Sequence, residues 1–133
     1  MTTLTILPKV SVTSRAEDLL WQGGLIIIAF LPVTLLVSLD DPRQLNDINI
    51  WSKPMKFYVS VGLHMITLAF VARFINADVR GKFSVYGLSW VLTFTVIAEL
   101  AYLTIQAARG RHSHWNFETQ FESLMYAAMG VGA

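Results

Sequence analysis

The sequence predicts an all-α fold: a polytopic transmembrane helical bundle with three full spans and a partial fourth. Hydrophobic residues make up 54% of the 133 residues, and charged residues make up only 14%. A soluble domain of this size needs more charge than that to cover its surface. In addition, charge is almost absent from three long runs, and each is close to the length of about 20 residues that an α-helix needs to cross a hydrocarbon core.

The composition also excludes several classes of protein. The chain has 10 basic and 9 acidic residues, and its net charge of +1 offers no basic surface for nucleic acid, so we expect no nucleic-acid partner. Because the chain has no cysteine, disulfide frameworks, thiolate catalysis and cysteine-ligated zinc or iron–sulfur centres are excluded. Aromatic residues make up 12% of the chain, which argues against intrinsic disorder.

The first span is predicted at residues 19–39, after a polar N-terminal tail of residues 1–18. Charge is absent from the whole of 19–39, and this run is too long for the apolar part of a signal peptide. Gly23 and Gly24 would weaken a soluble helix, but in a bilayer small residues let helices approach closely. Neighbouring helices can likewise compensate for the kink at Pro32.

A polar segment, residues 43–56, separates the first span from the second. We expect this segment to lie along the lipid headgroups, with Trp51 as an aromatic anchor. Ser52 can cap a helix whose first turn holds Pro54, where the missing N–H costs nothing. The second span is predicted at residues 57–77, which requires the one arginine within it to extend its charged end to the headgroups.

The third span is predicted at residues 83–108, where Glu99 is the single charged residue. The turn before it, residues 78–82, is short, so the second and third spans are predicted to be antiparallel neighbours. Lys and Arg near the span ends number five on each side of the membrane, so the positive-inside rule leaves the orientation open.

The fourth apolar run, residues 123–133, is only a partial span. Thr119 and Glu122 have the spacing of a capping box, which predicts a helix start just before the run. Eleven helical residues reach only about 16 Å, roughly half of a hydrocarbon core. We therefore expect the chain to be the N-terminal portion of a longer polytopic protein. The alternative is a re-entrant or interfacial helix.

Glu99 is the strongest candidate for a functional residue, because an ionisable group inside hydrocarbon is costly and faces a protein interior or a water cavity. Thr95, Tyr102, Gln106 and Arg109 recur at helical spacing around it, so these polar groups form one stripe that faces other helices. The functional interpretation is a carboxylate that handles a proton or binds a polar substrate. The structural interpretation is a hydrogen-bonded carboxylate that only fixes helix packing.

His64 is the natural partner for Glu99 within the second span. Polar residues that share its helix face are Lys56, Ser60 and Thr67. The two side chains lie at similar depth if the helix runs on to Ala77, but their depths differ by roughly 10 Å if it ends at Ala72. A histidine satisfied by a hydroxyl group or a backbone carbonyl is the alternative.

A weak metal-binding pattern lies after the third span, where His114, Glu118 and Glu122 recur every four residues together with His112. A helix that starts at Thr119 breaks this spacing. Haem would require two intramembrane histidines on facing helices, and only one is present. We therefore predict neither a metal site nor a cofactor, although the sequence does not decide whether His112 and His114 bind a metal ion.

Two segments resemble a known family: Asn-Ile-Trp-Ser-Lys-Pro-Met-Lys-Phe at 49–57 and Gln-Ala-Ala-Arg-Gly-Arg-His-Ser-His-Trp-Asn at 106–116. The chain is similar, over roughly 39–132, to uncharacterised bacterial multi-pass membrane proteins with Trp-x-Lys-Pro-x-Lys-Phe and Gln-Ala-x-Arg-Gly-x-x-Ser-His-x-Asn segments. The resemblance implies further helices but no reaction. Both segments would lie on one membrane face, where they could form a basic-lined opening or serve only as helix-end anchors. The opening would be lined by Lys53, Lys56, Gln106, Arg109, His114 and Asn116.

Two functions remain open at the level of the sequence. The first is a transporter-like or membrane-enzyme core with a polar intramembrane site around Glu99, and the residues do not decide whether that site is catalytic. The second is a non-catalytic membrane scaffold whose polar stripes serve only helix packing. In either case we expect a bacterial inner-membrane location, with the lipid bilayer and further transmembrane helices of the same chain or of an oligomer as partners.

Overall fold

The computed structural model describes residues 14–113, 117 and 119–132. These residues form an all-α helical bundle, which confirms the predicted fold class. In chain order the elements are α1 (Arg15–Asp40), β1 (Gln44–Leu45), β2 (Ile48–Asn49), α2 (Ser52–Ala72), α3 (Ala77–Arg80), α4 (Phe83–Ala108) and α5 (Gln120–Gly132).

Three of the described helices, α1, α2 and α4, are long and apolar enough to cross a membrane. They have 26, 21 and 26 residues, or roughly 39, 32 and 39 Å of helix, against a hydrocarbon core of roughly 30 Å. Large apolar side chains cover their outer faces; Leu36, Leu88 and Val91, for example, are 65%, 70% and 63% exposed. Surface of this kind is unfavourable in water and favourable against lipid, so the chain is a membrane protein.

α1 begins at Arg15, earlier than the predicted start at residue 19. A capping box explains the difference: the Glu17 backbone N–H donates to Ser14 Oγ at 3.3 Å, and the Ser14 backbone N–H donates to Glu17 Oε2 at 3.1 Å. These bonds satisfy two N–H groups that the start of a helix would otherwise leave unpaired. The described part of the predicted tail is therefore largely helical, whereas residues 1–13 lie outside the described residues.

α2 is displaced toward the N-terminus relative to the predicted span at 57–77. Trp51 is its N-cap, so Ser52 is the first helical residue rather than the cap. Pro54 lies in the first turn, as expected, because the first N–H groups of a helix have no partner within it.

A structured turn follows α2 where the sequence predicts further helix. After Ala72, three successive backbone N–H groups bond to carbonyls three residues back rather than four, which tightens and ends the helix. Asn76 then caps α3 by accepting a hydrogen bond from the Asp78 backbone N–H at 3.1 Å. The second span therefore ends before the residues that the prediction assigned to it.

α1 and α2 touch backbone to backbone at Gly24 and Gly62. A Cβ atom on Gly24 would lie 2.9 Å from the Gly62 carbonyl oxygen and 2.8 Å from Ile66 Cγ1. A Cβ atom on Gly23 would lie 3.3 Å from Thr93 Cγ2 on α4. The glycine pair thus permits the close helix approach that the sequence predicts. The apolar core beside it comprises Leu20, Ile27, Tyr58, Met65, Ala69 and Leu100.

A two-stranded hairpin, β1–β2, occupies the polar segment between α1 and α2. Asn46 and Asp47 form its turn with φ angles of 53° and 61°, which is the left-handed backbone that a two-residue type I′ turn requires. Arg43 Nη1 donates to the carbonyl oxygen of Ala108 at 3.0 Å, so the hairpin is fastened to the C-terminal end of α4. Trp51 beside it is only 8% exposed and therefore packs inside the protein instead of facing the headgroups.

Candidate functional site

The Glu99 carboxylate faces a partly open cavity between α4 and α5. Its Oε1 atom is buried and has no hydrogen-bond partner among the residues that the structure describes. The cavity has a volume of about 180 Å³, well above the roughly 10–15 Å³ that one water molecule requires. Its lining consists of Phe94, Thr95, Ala98, Glu99, Tyr102, Met125 and Ala128.

Tyr102 and Gln106 continue from Glu99 along the same face of α4. Gln106 is completely buried, and its Nε2 donates to the Tyr102 hydroxyl oxygen at 2.9 Å. Arg109 Nη1 donates to Gln106 Oε1 at 3.0 Å. The stripe that the sequence predicts is therefore connected by hydrogen bonds from Tyr102 to the end of the helix.

Glu122, in the first turn of α5, closes this arrangement. Its Oε1 accepts hydrogen bonds from Arg111 Nη1 at 3.1 Å and from Gln106 Nε2 at 3.4 Å, and it lies 3.5 Å from Arg109 Nη1. Burial raises the pKa of Glu122, but the hydrogen bonds from Arg111 and Gln106 outweigh it and hold the pKa below the ordinary glutamate value. The Glu122 backbone N–H donates to Thr119 Oγ1 at 3.2 Å, which is the capping contact that the sequence predicts.

We call Glu99, Tyr102, Gln106 and Glu122 the polar column. It runs from the middle of α4 to the end of the bundle that holds the β1–β2 hairpin, the last turn of α4 and the start of α5. This end is the hairpin end, and the opposite end, with the start of α1 and with α3, is the turn end. The polar column extends from Glu99 toward a cluster of charges at the hairpin end. Sequence analysis missed Glu122 as its last member because that residue lies on a different helix.

His64 lies apart from the polar column. It is exposed on the outer face of α2, as are Lys56, Ser60 and Thr67, and it does not line the Glu99 cavity. α2 ends at Ala72 and not at Ala77. For this shorter helix the sequence predicts different depths for His64 and Glu99.

A second cleft lies at the hairpin end, between the β1–β2 hairpin and the last turns of α4. It has a volume of about 260 Å³, and Lys53, Arg111 and His112 are among its lining residues. Lys53 Nζ donates to Ser113 Oγ at 2.7 Å across the cleft.

The cleft coincides only in part with the basic-lined opening that the sequence predicts. Of that set, Lys53 lines the cleft; Lys56, Gln106 and Arg109 do not. His114 and Asn116 lie outside the described residues. Arg109 instead reaches Gln106 of the polar column.

A buried ion pair at the turn end is a further feature that sequence analysis missed. Arg80 Nη1 lies 2.6 Å from Glu17 Oε1, and the two side chains are 4% and 2% exposed. The Ser-x-x-Glu spacing at the start of α1 could have located Glu17 as a capping residue. No local spacing indicates its partner, because 63 positions separate the two residues.

A charged cluster at the hairpin end fixes the β1–β2 hairpin. Arg43 Nη2 lies 2.7 Å from Asp41 Oδ2, and Trp51 Nε1 donates to the same carboxylate oxygen at 2.9 Å. These hydrogen bonds from Arg43 and Trp51 hold the pKa of Asp41 well below its usual range. The cluster is structural, because it joins the end of α1 to the start of α2.

Within residues 14–113, 117 and 119–132, no three His, Asp or Glu side chains come together in a way that could hold a metal ion. The predicted spacing of possible ligands includes His114 and Glu118, which lie outside these residues. Comparison of the chain with protein-family models, curated protein sequences and solved structures finds no match.

Proposed function

We propose that the chain is a multi-pass protein of the bacterial inner membrane in which Glu99, with Tyr102, takes up and releases protons in the cavity between α4 and α5, while Gln106 and Glu122 hold this site in place. The observation that carries the proposal is the buried Glu99 Oε1 atom, which faces a cavity and has no described hydrogen-bond partner. The bacterial inner-membrane location is part of this proposal and follows the resemblance expected from segments 49–57 and 106–116.

Energetics favour a functional role for Glu99. A charged side chain at the centre of a spanning helix costs at least about 2.5 kcal/mol. Helix packing could offset this cost if the carboxylate bonded to a neighbouring helix, but Oε1 makes no such bond to a described residue. A glutamine or a serine would pack at this position at lower cost, so packing alone gives no reason for a carboxylate.

The hydrogen bond from Gln106 also leaves Tyr102 able to exchange a proton within the Glu99 cavity. Because Gln106 Nε2 donates to the Tyr102 oxygen, the Tyr102 hydroxyl hydrogen is left to donate elsewhere, and Tyr102 lines the same cavity as Glu99. A cavity of about 180 Å³ has room for water between the two side chains. Beyond Tyr102, at the hairpin end, Glu122 is buried and pairs with Arg111, whose side chain is 39% exposed.

A scaffold is the second candidate function, and one observation favours it. Glu122 takes hydrogen bonds from Gln106 and Arg111, which fastens α5 to α4 without any need for transport. Under this alternative the polar column serves only to assemble helices.

Proton flux through liposomes that contain the full chain separates the two candidates. A potassium diffusion potential drives protons, and a trapped pH-sensitive dye reports their entry. We expect Glu99→Gln to lower the flux by about a hundredfold or more, which is the contribution typical of a positioned proton-transfer group. Asp40→Asn is the matched control, because Asp40 is an exposed carboxylate at the end of α1.

Two results would contradict the proposal. The first is an unchanged flux in a folded Glu99→Gln variant, and the second is a parent protein whose flux does not exceed that of empty liposomes. Either result would favour the scaffold.

A further inference from the structure

The Glu99 cavity presents one carboxylate within an otherwise uncharged lining. Among the residues that the structure describes, no lysine, arginine or histidine lines this cavity. Apart from Glu99, the lining residues with a side-chain oxygen atom are Thr95 and Tyr102. A ligand that brings a positive charge would therefore supply what the described lining lacks, and it would stabilise the charged form of Glu99 within the bundle.

The number of oxygen atoms in the lining favours an ammonium group over a divalent metal ion. Calcium takes roughly six to eight oxygen ligands and magnesium about six, whereas only three lining residues, Thr95, Glu99 and Tyr102, carry a side-chain oxygen atom. An ammonium group needs fewer partners, because it is a compact charge with at most three N–H donors. One charged carboxylate is the strongest acceptor that it can meet in a protein.

The other walls of the cavity favour a cation with an apolar body. These walls consist of Phe94, Ala98, Met125 and Ala128. An aromatic ring beside a carboxylate suits an ammonium group, which is attracted to the face of the ring, and a methionine side chain adapts its shape to a ligand. The volume of about 180 Å³ exceeds the roughly 150 Å³ of an apolar cavity that holds benzene. One ring with a short ammonium arm therefore fits.

The position of the cavity suits a ligand that dissolves in the bilayer. Glu99 lies roughly 14 Å along the helix from the end of α4 at Ala108, which is within the hydrocarbon core. Phe94 is 69% exposed in the described bundle, so the partly open cavity reaches its outer surface. An amine with an apolar body can remain in lipid near this opening, whereas a small inorganic cation has no apolar surface to favour that position.

We propose that the Glu99 cavity binds an organic amine, a monocation with one aromatic ring whose ammonium group pairs with the Glu99 carboxylate. The ammonium group donates to Oε1, the buried oxygen that has no partner among the described residues. The ring packs against Phe94 and Met125 of the lining. This inference rests on the proposed function, because the cation takes the place of the proton that Glu99 releases, and it adds the chemical class of the ligand.

Equilibrium binding of radiolabelled phenethylammonium to the purified full chain in nanodiscs of zwitterionic lipid tests the inference. Nanodiscs without protein measure the partition of the amine into lipid, which is subtracted. Phenethyl alcohol is the matched neutral ligand, because a hydroxyl group replaces the ammonium group on the same ring and arm. We expect the unlabelled amine to displace the label at a concentration about tenfold lower than the alcohol requires, equivalent to about 1.4 kcal/mol.

Two pairs of variants separate the charge of the site from its shape. Glu99→Gln should weaken binding of the amine by about tenfold or more, whereas Asp40→Asn, which neutralises an exposed carboxylate, should leave the affinity unchanged. Ala128→Leu fills part of the cavity and should weaken binding by about fivefold or more. Ala127→Leu is its control, because Ala127 is exposed beside it and does not line the cavity.

Three outcomes would overturn the inference. Equal displacement by phenethyl alcohol in the parent protein would show that the positive charge is irrelevant, and this measurement does not depend on the folding of any variant. Unchanged affinity in a folded Glu99→Gln variant would place the amine elsewhere. An equal loss in Ala127→Leu and Ala128→Leu would show a general effect on α5 instead of a filled cavity.

Failure of this inference can be told apart from failure of the proposed function, because binding is measured without proton flux. A proton flux that depends on Glu99, in a protein that binds no amine, would overturn the inference and leave the proposed function in place. Binding of the amine by a parent protein that passes no protons would contradict the proposed function and support the assignment of the ligand.

Discussion

Glu17 and Glu99 are both carboxylates on apolar spanning helices, yet their surroundings are opposite. Glu17 uses both oxygens, one for Arg80 at 2.6 Å and the other for the Ser14 backbone N–H at 3.1 Å. Glu99 has a buried oxygen without a described partner, and it faces a cavity. Both oxygens of Glu17 have partners that stabilise the fold, whereas Oε1 of Glu99 has no partner among the described residues.

The comparison teaches that burial alone does not identify a functional carboxylate in this bundle. Glu17 is more buried than Glu99, but it lies in the first turn of α1, where it caps the helix and where an arginine from α3 can reach it. Glu99 lies in the interior of α4, where every backbone N–H already has a helical partner. Position relative to the helix end therefore separates a structural carboxylate from a candidate proton site.

The largest expected effect comes from removing the partner of Glu17. Arg80→Met leaves a buried carboxylate without its cation, so we expect the free energy of unfolding in detergent to fall by about 3–5 kcal/mol. Arg73→Met is the control, because Arg73 is exposed and contributes only its backbone carbonyl to the contact with Arg80.

Replacing both partners distinguishes loss of the ion pair from loss of packing. The double variant Glu17→Leu and Arg80→Met removes the uncompensated charge, and it should recover much of the stability that Arg80→Met loses. Equal instability of the single and double variants would indicate that the shape of the arginine, rather than its charge, fixes the turn end.

A smaller effect is expected from Asp41, a carboxylate that is paired but partly exposed. Its pKa is lower in the folded protein than in the unfolded chain, so its stabilising effect is present above the ordinary value of about 3.9 and is lost as the pH falls below it. Thermal unfolding of the detergent-solubilised parent at decreasing pH measures this loss.

Asp41→Asn provides the control for the pH dependence. The variant should be less stable than the parent near neutral pH, and the difference between them should shrink as the medium becomes acidic. A constant difference over the whole acidic range would assign the pH dependence to other carboxylates.

The smallest expected loss of stability is that of Glu99→Gln. The amide is nearly isosteric and the exchange removes no described hydrogen bond of Oε1, so we expect a loss in unfolding free energy of at most about 0.5 kcal/mol, and a gain if the carboxylate is charged in the parent protein. Thermal unfolding in detergent checks this value. A loss as large as that of Arg80→Met would remove the contrast between Glu17 and Glu99 and would give Glu99 a structural role.

The helical fold could be predicted from the sequence because a long uncharged run indicates a helix in contact with lipid. Such a run can be recognised without knowing which other residues it contacts. The helix ends could be predicted only in part. α2 begins before Phe57 because the polar first turn with Pro54 is already helical, and it ends at Ala72 because the chain tightens there and Asn76 starts a new helix.

The same distinction explains how much of the candidate site could be predicted. Glu99, Tyr102 and Gln106 lie on one helix, so their spacing alone places them on one face. The contacts of Glu122 with Gln106 and of Arg80 with Glu17 join separate helices, and they depend on packing that no local pattern encodes.

The contact between Gly24 and Gly62 has a mechanical consequence. Two backbones that touch at one level cannot slide along each other without driving Ile28 and Ile66 into the opposite helix. α1 and α2 are therefore held in one axial register at the level of Gly24 and Gly62.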